Sequence, residues 1–189
     1  TPAWRGSKKT SAGICPPGLL GEFADDSEGF WQLKDRMGWP VGLCEGSFYQ
    51  TDDGVLHVLL RSGTERLWAA ESRDDGATWS APEPTEFTDN VTKFHFGRLP
   101  DGRFYYVGCP HPQPQWARRP LVLSLSEDGL RFDRHWILGD GHYDMARPGM
   151  HKGGEYGYPH TMLHEGWLYV IVSRRKEAVE VLRTPLAGL

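Results

Sequence analysis

Polar residues recur at two fixed distances from the glycines of three short turn motifs. Nine residues before these glycines lie Glu45, Lys93 and Gly157, and Tyr158 follows Gly157. Seven residues after them lie Arg61, Cys109 and Ser173. An arginine can bind a carboxylate through two parallel hydrogen bonds, and a glutamate can accept a proton. Because repeated units place equivalent positions at equivalent levels, the spacing predicts a polar ligand site shared by several repeats.

The three turn motifs predict the elements that position these residues. They lie at 51–54, 100–102 and 165–166, each between runs of strand-forming residues. Asp-Gly between apolar runs is a strong hairpin signal. A third strand-like run follows each hairpin, at 67–71, 120–125 and 178–183. We therefore expect three antiparallel units of similar construction.

The turn glycines stand at positions 54, 102 and 166, so the repeats are 48 and then 64 residues apart. This spacing matches one four-stranded propeller blade per repeat. We predict an all-β fold, a partial β-propeller of about three four-stranded blades at 43–88, 91–137 and 157–187. The extra length lies in residues 135–156, which are rich in Gly, His and charge and are expected to form an inserted loop.

Residues 1–42 do not fit the repeat and are predicted to form an irregular N-terminal segment, with a helical turn near 27–36. Residues 43–189 are predicted to form the blades. A closed propeller has at least four blades, and three would leave long unpaired strand edges. We therefore expect the chain to be the C-terminal half of a larger propeller.

Composition narrows the functional classes. With 23 Gly and 14 Pro among 189 residues and 39% hydrophobic residues, the chain is globular and rich in turns. A net charge of −4 argues against nucleic acid as a partner, and no apolar run is long enough for a membrane span. Cys15, Cys44 and Cys109 form no C-x-x-C pair, which leaves one disulfide or three thiols open. No His or Cys spacing is diagnostic of a metal, and we predict no metal and no cofactor.

Residues 72–79 fill every fixed position of the pattern S-x-D-x-G-x-T-W with Ser72, Asp74, Gly76, Thr78 and Trp79. Asp74 is expected to accept hydrogen bonds from its own turn, and Trp79 to pack back across it. A degenerate copy, one residue shorter, occupies 126–132. The pattern resembles the Asp-box of sialidase-type β-propellers, in which it marks outer hairpins and is structural.

The likeness extends over residues 43 to 186. The order of Glu45, Arg61 and the Asp-box is similar to the middle of the sialidase-like (Asp-box, or BNR-repeat) superfamily. Residues 118–121 resemble the segment that carries another active-site arginine, and Tyr158 with its following proline resembles the segment of the tyrosine nucleophile. The resemblance implies Tyr158 as nucleophile, Glu45 as its base, and Arg61 with a second arginine as a clamp for a carboxylate.

Arg118 and Arg119 both match the second arginine. On a strand only one of two neighbours can face the channel, and we favour Arg119. The family also uses a first-blade arginine and an aspartate as general acid, and neither is matched in this sequence. The implied activity is that of an exo-glycoside hydrolase acting on carboxylate-bearing sugars in a longer parent protein.

Two other functions compete with glycoside hydrolysis. Residues 46–49, 93–97 and 156–160 resemble propeller ulvan lyases and related rhamnosidases. In a lyase Arg61 would neutralise a uronate, while His95, His160 or Tyr158 would remove a proton, and Lys93 lies beside them as a further binding residue. A non-catalytic glycan-binding propeller is the third possibility. In each case the partner is a carbohydrate, the oligomeric state stays open, and a secreted or periplasmic location is favoured.

Structural roles stay open beside these functional ones. Glu45 could be a solvated charge at a strand start, and Tyr158 a packed aromatic with a bonded hydroxyl. Arg61 could pair with a nearby surface carboxylate, such as Glu65 or Asp53.

Overall fold

The structure is a computed structural model that describes residues 43–149 and 152–189. The described residues form eleven strands in three antiparallel sheets. The first sheet contains β1 (Cys44–Gln50), β2 (Leu56–Arg61), β3 (Arg66–Ser72) and β4 (Glu83–Thr88). The second contains β5 (His95–Arg98), β6 (Phe104–Gly108), β7 (Leu121–Ser126) and β8 (Arg134–Gly139). The third contains β9 (Tyr156–His164), β10 (Trp167–Arg174) and β11 (Ala178–Pro185).

Each sheet is a simple meander in which sequential strands pair, as in a propeller blade. The three turn motifs join β1 to β2, β5 to β6 and β9 to β10, as the Asp-Gly and Glu-Gly signals predict. The strand β5 contacts β1 of the first sheet and β9 of the third, so the first strand of each sheet is its inner strand. The all-β, partial β-propeller prediction is confirmed.

Two apolar clusters fill the spaces between the sheets. Between the first and second sheets, the buried side chains belong to Leu59, Leu67, Phe94, Phe96 and Tyr106. Between the second and third sheets, β6 and β7 pack against β10, with Val107, Leu121, Leu123, Leu125, Leu168, Val170 and Val172 at most 1% exposed. Burial of each such side chain contributes roughly 1.5–3 kcal/mol. Neighbouring blades are therefore joined by face-to-face packing of apolar side chains, which fixes the positions of their inner strands relative to one another.

Among the described residues the third sheet has three strands, whereas the first and second have four. One detail of the prediction is wrong. The inserted loop does not begin at residue 135, because 134–139 form β8, whose side chains alternate between half-buried and exposed. This period of two was hidden by the charged and histidine residues at the start of the strand. The segment that leads to β9 begins at residue 140 instead.

Several predictions fall outside the described residues. These are the irregular segment 1–42, the helical turn near 27–36 and the state of Cys15. Within the described part, Cys44 and Cys109 both carry free thiols, and Cys109 is buried. No helix in that part is long and apolar enough to cross a membrane.

Candidate functional site

The inner strands β1 and β9 are interrupted at the same end of their sheets. The pairing of β1 with β2 shifts register between Cys44 and Ser47, which leaves Glu45 in a bulge. The pairing of β9 with β10 shifts opposite residues 171–173, at Tyr158. Glu45 and Tyr158 have φ values of +40° and +56°, which are unusual for residues other than glycine. Bulges redirect side chains, and backbone strain collects at functional sites.

Glu45 and Arg61 meet across the first bulge. Arg61 Nη1 lies 2.5 Å from Glu45 Oε2, and their side chains are 9% and 33% exposed. Lys93, from just before β5, donates from Nζ to the carbonyl oxygen of Gly46 at 2.7 Å. Burial lowers the pKa of Lys93, and the Glu45 carboxylate opposes this shift. Three of the residues singled out by the repeat therefore form one charged cluster, and Arg61 is paired with Glu45 rather than with Glu65 or Asp53.

The two adjacent arginines differ in their surroundings. Arg118 is buried and Arg119 is exposed. Both precede β7, which starts at Leu121, so strand alternation does not apply to them. Arg118 has a φ of +52°, and its backbone N–H donates to Asn90 Oδ1 at 3.0 Å. This conformation turns its side chain inward.

Arg118 belongs to the same cluster as Arg61. Burial lowers the pKa of Arg118, the positive charge of Arg61 lowers it further, and Tyr158, Cys109 and Glu45 oppose the shift. The Nε atoms of Arg61 and Arg118 are buried and have no hydrogen-bond partner among the described residues. Buried donors of this kind are costly unless a partner satisfies them. The two guanidinium groups can therefore accept an anionic ligand.

Arg118 is held by the loop that precedes β9. Tyr156 N–H donates to the Arg118 carbonyl at 3.1 Å, and Glu155 N–H donates to Ala117 at 2.9 Å. Gly154 has a φ of +83°, and a Cβ there would lie 2.5 Å from Arg118 Cδ and 2.8 Å from a backbone oxygen of the same segment. Only glycine fits this close approach. Residues 154–156 thus support the site, although the sequence indicates no such role.

The histidines form a second group on the inner strands. His95 Nδ1 lies 2.6 Å from Thr161 Oγ1, which is 2.7 Å from the hydroxyl of Tyr105. The rings of His95 and His160 are 4.5 Å apart. Burial, with the charges of His160 and Lys93, lowers the pKa of His95 to about 4. His95 is therefore uncharged at neutral pH, and its lowered pKa makes it a weaker proton acceptor than an ordinary histidine.

The Asp-box residues form a hydrogen-bonded turn between β3 and β4. Asp74 Oδ1 accepts from Thr78 N–H at 2.8 Å, and Oδ2 accepts from Thr78 Oγ1 at 2.7 Å. Ser72 Oγ contacts Asp74 at 2.9 Å and accepts from Gly76 N–H at 2.8 Å, with Gly76 at a φ of +82°. Trp79 Nε1 donates to Gly76 O at 3.2 Å. The box lies at the end of its sheet opposite to Glu45, because Ser72 pairs with the turn end of β2.

Sequence reasoning missed two residues near the cluster. Asp89 is fully buried, and burial raises its pKa to about 7 while Thr92 N–H and Arg61 oppose the shift. Lys176 lies in the β10–β11 turn, with Nζ 5.9 Å from the centre of the Tyr158 ring. Neither residue occupies a position that recurs in the other blades, so the repeat carries no signal for them.

The order and packing of the three sheets define a partial β-propeller. Residues 12–170 match the BNR repeat-like domain family, and the chain belongs to that family. No curated protein sequence matches the chain.

Solved structures share the fold at low sequence identity. A sialidase designated Hz136, of Hadza microbial origin, has a TM-score of 0.59 at 14% identity, over 78% of this chain and 28% of its own. A protein of unknown function from Dyadobacter fermentans DSM 18053 has a TM-score of 0.53 at 20% identity, over 77% and 38%. An α-L-arabinanase of Penicillium chrysogenum complexed with arabinobiose has a TM-score of 0.51 at 17% identity, over 75% and 45%. The chain therefore spans less than half the length of these proteins.

Proposed function

We propose that the chain supplies part of the active site of a sialidase-like exo-glycoside hydrolase that acts on carboxylate-bearing sugars. The observation that carries this proposal is the cluster of Glu45, Arg61, Arg118 and Tyr158. Two buried guanidinium groups beside one carboxylate leave an excess of positive charge, which suits an anionic ligand. Membership of the BNR repeat-like family and a sialidase of the same fold support it.

The roles follow from the charges. Arg61 and Arg118 bind the sugar carboxylate, because guanidinium groups match carboxylate geometry. A carboxylate nucleophile would be repelled by that anionic substrate, whereas a neutral tyrosine is not. Tyr158 attacks the anomeric carbon, and Glu45 takes its proton. When the substrate carboxylate occupies Arg61, it competes with Glu45 for the guanidinium and leaves Glu45 available to the phenol.

The resemblance matches no residue of this sequence to the general acid or to the first-blade arginine. The cluster described here therefore accounts for binding and nucleophilic attack, and leaving-group protonation is assigned to another part of the parent protein. The proposal concerns that whole protein.

The test is a Tyr158→Phe substitution in the full-length parent, assayed by fluorophore release from a fluorogenic sialoside. Turnover should be abolished, because the attacking oxygen is lost while the ring remains. Tyr169→Phe, on the neighbouring strand β10, is the matched control and should retain turnover. Near-normal rates in Tyr158→Phe would overturn the assignment of the nucleophile.

Polysaccharide lyase activity is the second candidate, and the pair of histidine rings on the inner strands, His95 and His160 at 4.5 Å, favours it. A lyase neutralises a uronate carboxylate and removes the adjacent proton, and Arg61 and His95 could do this. Ultraviolet absorbance from unsaturated products on uronate polysaccharides, lost in His95→Gln, would establish this reaction. If neither substrate reacts, the polar cluster is a glycan-binding surface.

A further inference from the structure

The turn between β10 and β11 is strained at two successive residues. Glu177 N–H donates to the Arg174 carbonyl at 2.9 Å, which closes a four-residue turn. Its central residues, Arg175 and Lys176, have φ values of +47° and +54°. Hairpin turns with this backbone strongly favour glycine and asparagine, because other side chains crowd the backbone. The sequence places two long cationic side chains there instead.

The residues on either side of Lys176 are anchored. Arg175 Nη2 lies 2.5 Å from Oε1 of Glu155, a side chain only 5% exposed. Glu177 Oε1 accepts from the backbone N–H of Arg147 at 2.8 Å. Both contacts tie the turn to the segment that leads to β9, which also holds Arg118. The surroundings therefore maintain the strain, as occurs where strain serves a function.

Lys176 itself is exposed, and its backbone N–H donates to Ser173 Oγ at 3.1 Å. Its ammonium group lies 5.9 Å from the centre of the Tyr158 ring, which is 44% exposed. Tyr158 occupies its own strained bulge at the same end of the sheet. Two strained backbone positions thus bring an exposed cation beside an exposed phenol.

We propose that Lys176 is a further substrate-binding residue, whose ammonium group contacts an anionic group of the sugar seated over Tyr158. The proposal rests on the function proposed above and adds a specificity element to it. Arg61 and Arg118 are buried, whereas the exposed Lys176 reaches the ligand from the solvent side. The residue therefore selects acidic over neutral sugars at the entrance.

The test compares Lys176→Gln with Lys152→Gln in the full-length parent protein, which supplies the rest of the site. Both substitutions remove one positive charge, and Lys152 lies in the same loop region, with its ammonium bonded to the Arg147 carbonyl at 2.6 Å. Affinities for N-acetylneuraminate, glucuronate and neutral N-acetylglucosamine are measured by titration. Lys176→Gln should weaken binding of the acidic sugars roughly three- to fivefold at low salt, as expected for an exposed charge contact. The difference in acidic-sugar affinity between Lys176→Gln and the unmodified protein should disappear at about 1 M salt.

A second variant separates binding from folding. Lys176→Gly relieves the strain at positive φ, so its melting temperature should not fall, whereas its affinity for acidic sugars should drop as in Lys176→Gln. Equal affinities for Lys176→Gln and Lys152→Gln would overturn the role of Lys176.

Arg61→Gln distinguishes the two proposals. If it abolishes acidic-sugar binding while Lys176→Gln leaves binding unchanged, the carboxylate site stands and the Lys176 contact falls. If the unmodified parent protein binds acidic sugars no better than N-acetylglucosamine, both proposals fall.

Discussion

Glu45 and Arg61 form an ion pair across the bulge at the start of β1, with 2.5 Å between Oε2 and Nη1. The pair spans the bulge, in which Arg61 lies opposite Cys44, and the regular register of β1 and β2 resumes at Ser47. Burial lowers the pKa of the Arg118 guanidinium, and the positive charge of the nearby Arg61 lowers it further. Glu45 is thus the carboxylate paired with Arg61 in a site that contains two arginines.

A double-mutant cycle on this pair should show strong coupling. Arg61→Gln leaves Glu45 without its cation, and Glu45→Gln leaves Arg61 without its carboxylate, so each single change should destabilise the chain. The coupling free energy should be about 0.5–3 kcal/mol, as for charged residues in contact. Urea unfolding of the two single variants and the double variant measures it. Additive effects would show that the pair contributes no interaction energy of its own.

Gly154 should control the position of Arg118. An alanine at this position would have φ near +83° and a Cβ 2.5 Å from Arg118 Cδ. Gly154→Ala should therefore destabilise the chain by about 1–3 kcal/mol, a range typical of overpacking, and should weaken N-acetylneuraminate binding as Arg118 is displaced. Thermal unfolding and sugar titration measure the two effects.

Gly153→Ala is the matched control for this prediction. A Cβ at Gly153 meets no atom within 4 Å, so stability should change by less than about 0.5 kcal/mol. If Gly154→Ala behaved like Gly153→Ala, the close approach of this loop would not position the arginine.

The sequence contains enough information for the blades and for the first half of the site. Asp-Gly turns between apolar runs act locally, so the hairpins follow from short segments. The repeat also places Glu45 and Arg61 on paired strands. Residues that are equally far from the centre of a hairpin turn, here position 53, lie opposite each other in an antiparallel pair. Their catalytic roles stay predictions.

The second half of the site depends on long-range contacts that spacing does not reveal. Arg118 turns inward because Asn90 and the loop before β9 hold its backbone, and neither is close in sequence. Lys176 reaches Tyr158 only after β9 and β10 pair with a bulge. Asp89 is buried by packing between two blades. Strand alternation favoured Arg119 over Arg118 in the sequence, but both residues precede β7 and do not belong to a strand.

The Asp74 carboxylate should stabilise the outer hairpin of the first blade. Its hydrogen bonds with Thr78, and then with Ser72, lower the pKa of Asp74. A lowered pKa means that its contribution is present above the pKa of the unfolded chain and is lost as pH falls through the folded pKa. Asp74→Asn should therefore lower the melting temperature at neutral pH and flatten its dependence on acidic pH. Asp75→Asn, an exposed neighbour at a φ of +54°, is the control and should do neither.

Asp89 should make stability depend on pH with the opposite sign. Burial raises its pKa to about 7, from 3.8 in an exposed carboxyl. Between these values the folded chain retains a proton that the unfolded chain has lost, so the free energy of unfolding falls as pH rises from about 4 to 7. Above pH 7 both states are ionised, and the buried charge imposes its full cost despite the nearby Arg61.

Asp89→Asn removes that titration and keeps the size of the side chain. The variant should melt at a higher temperature than the unmodified chain at pH 8, and this advantage should shrink as the pH is lowered toward 4. Melting temperatures at half-unit intervals of pH provide the measurement, with the exposed Asp133→Asn as the control for loss of a surface charge. Parallel pH profiles for Asp89→Asn and the unmodified chain would show that Asp89 does not titrate in this range.

The protonation of Asp89 should also affect ligand binding. A neutral Asp89 at pH 5 would leave Arg61 with one fewer carboxylate near it, so N-acetylneuraminate should bind more tightly at pH 5 than at pH 8. Asp89→Asn should abolish this difference in affinity.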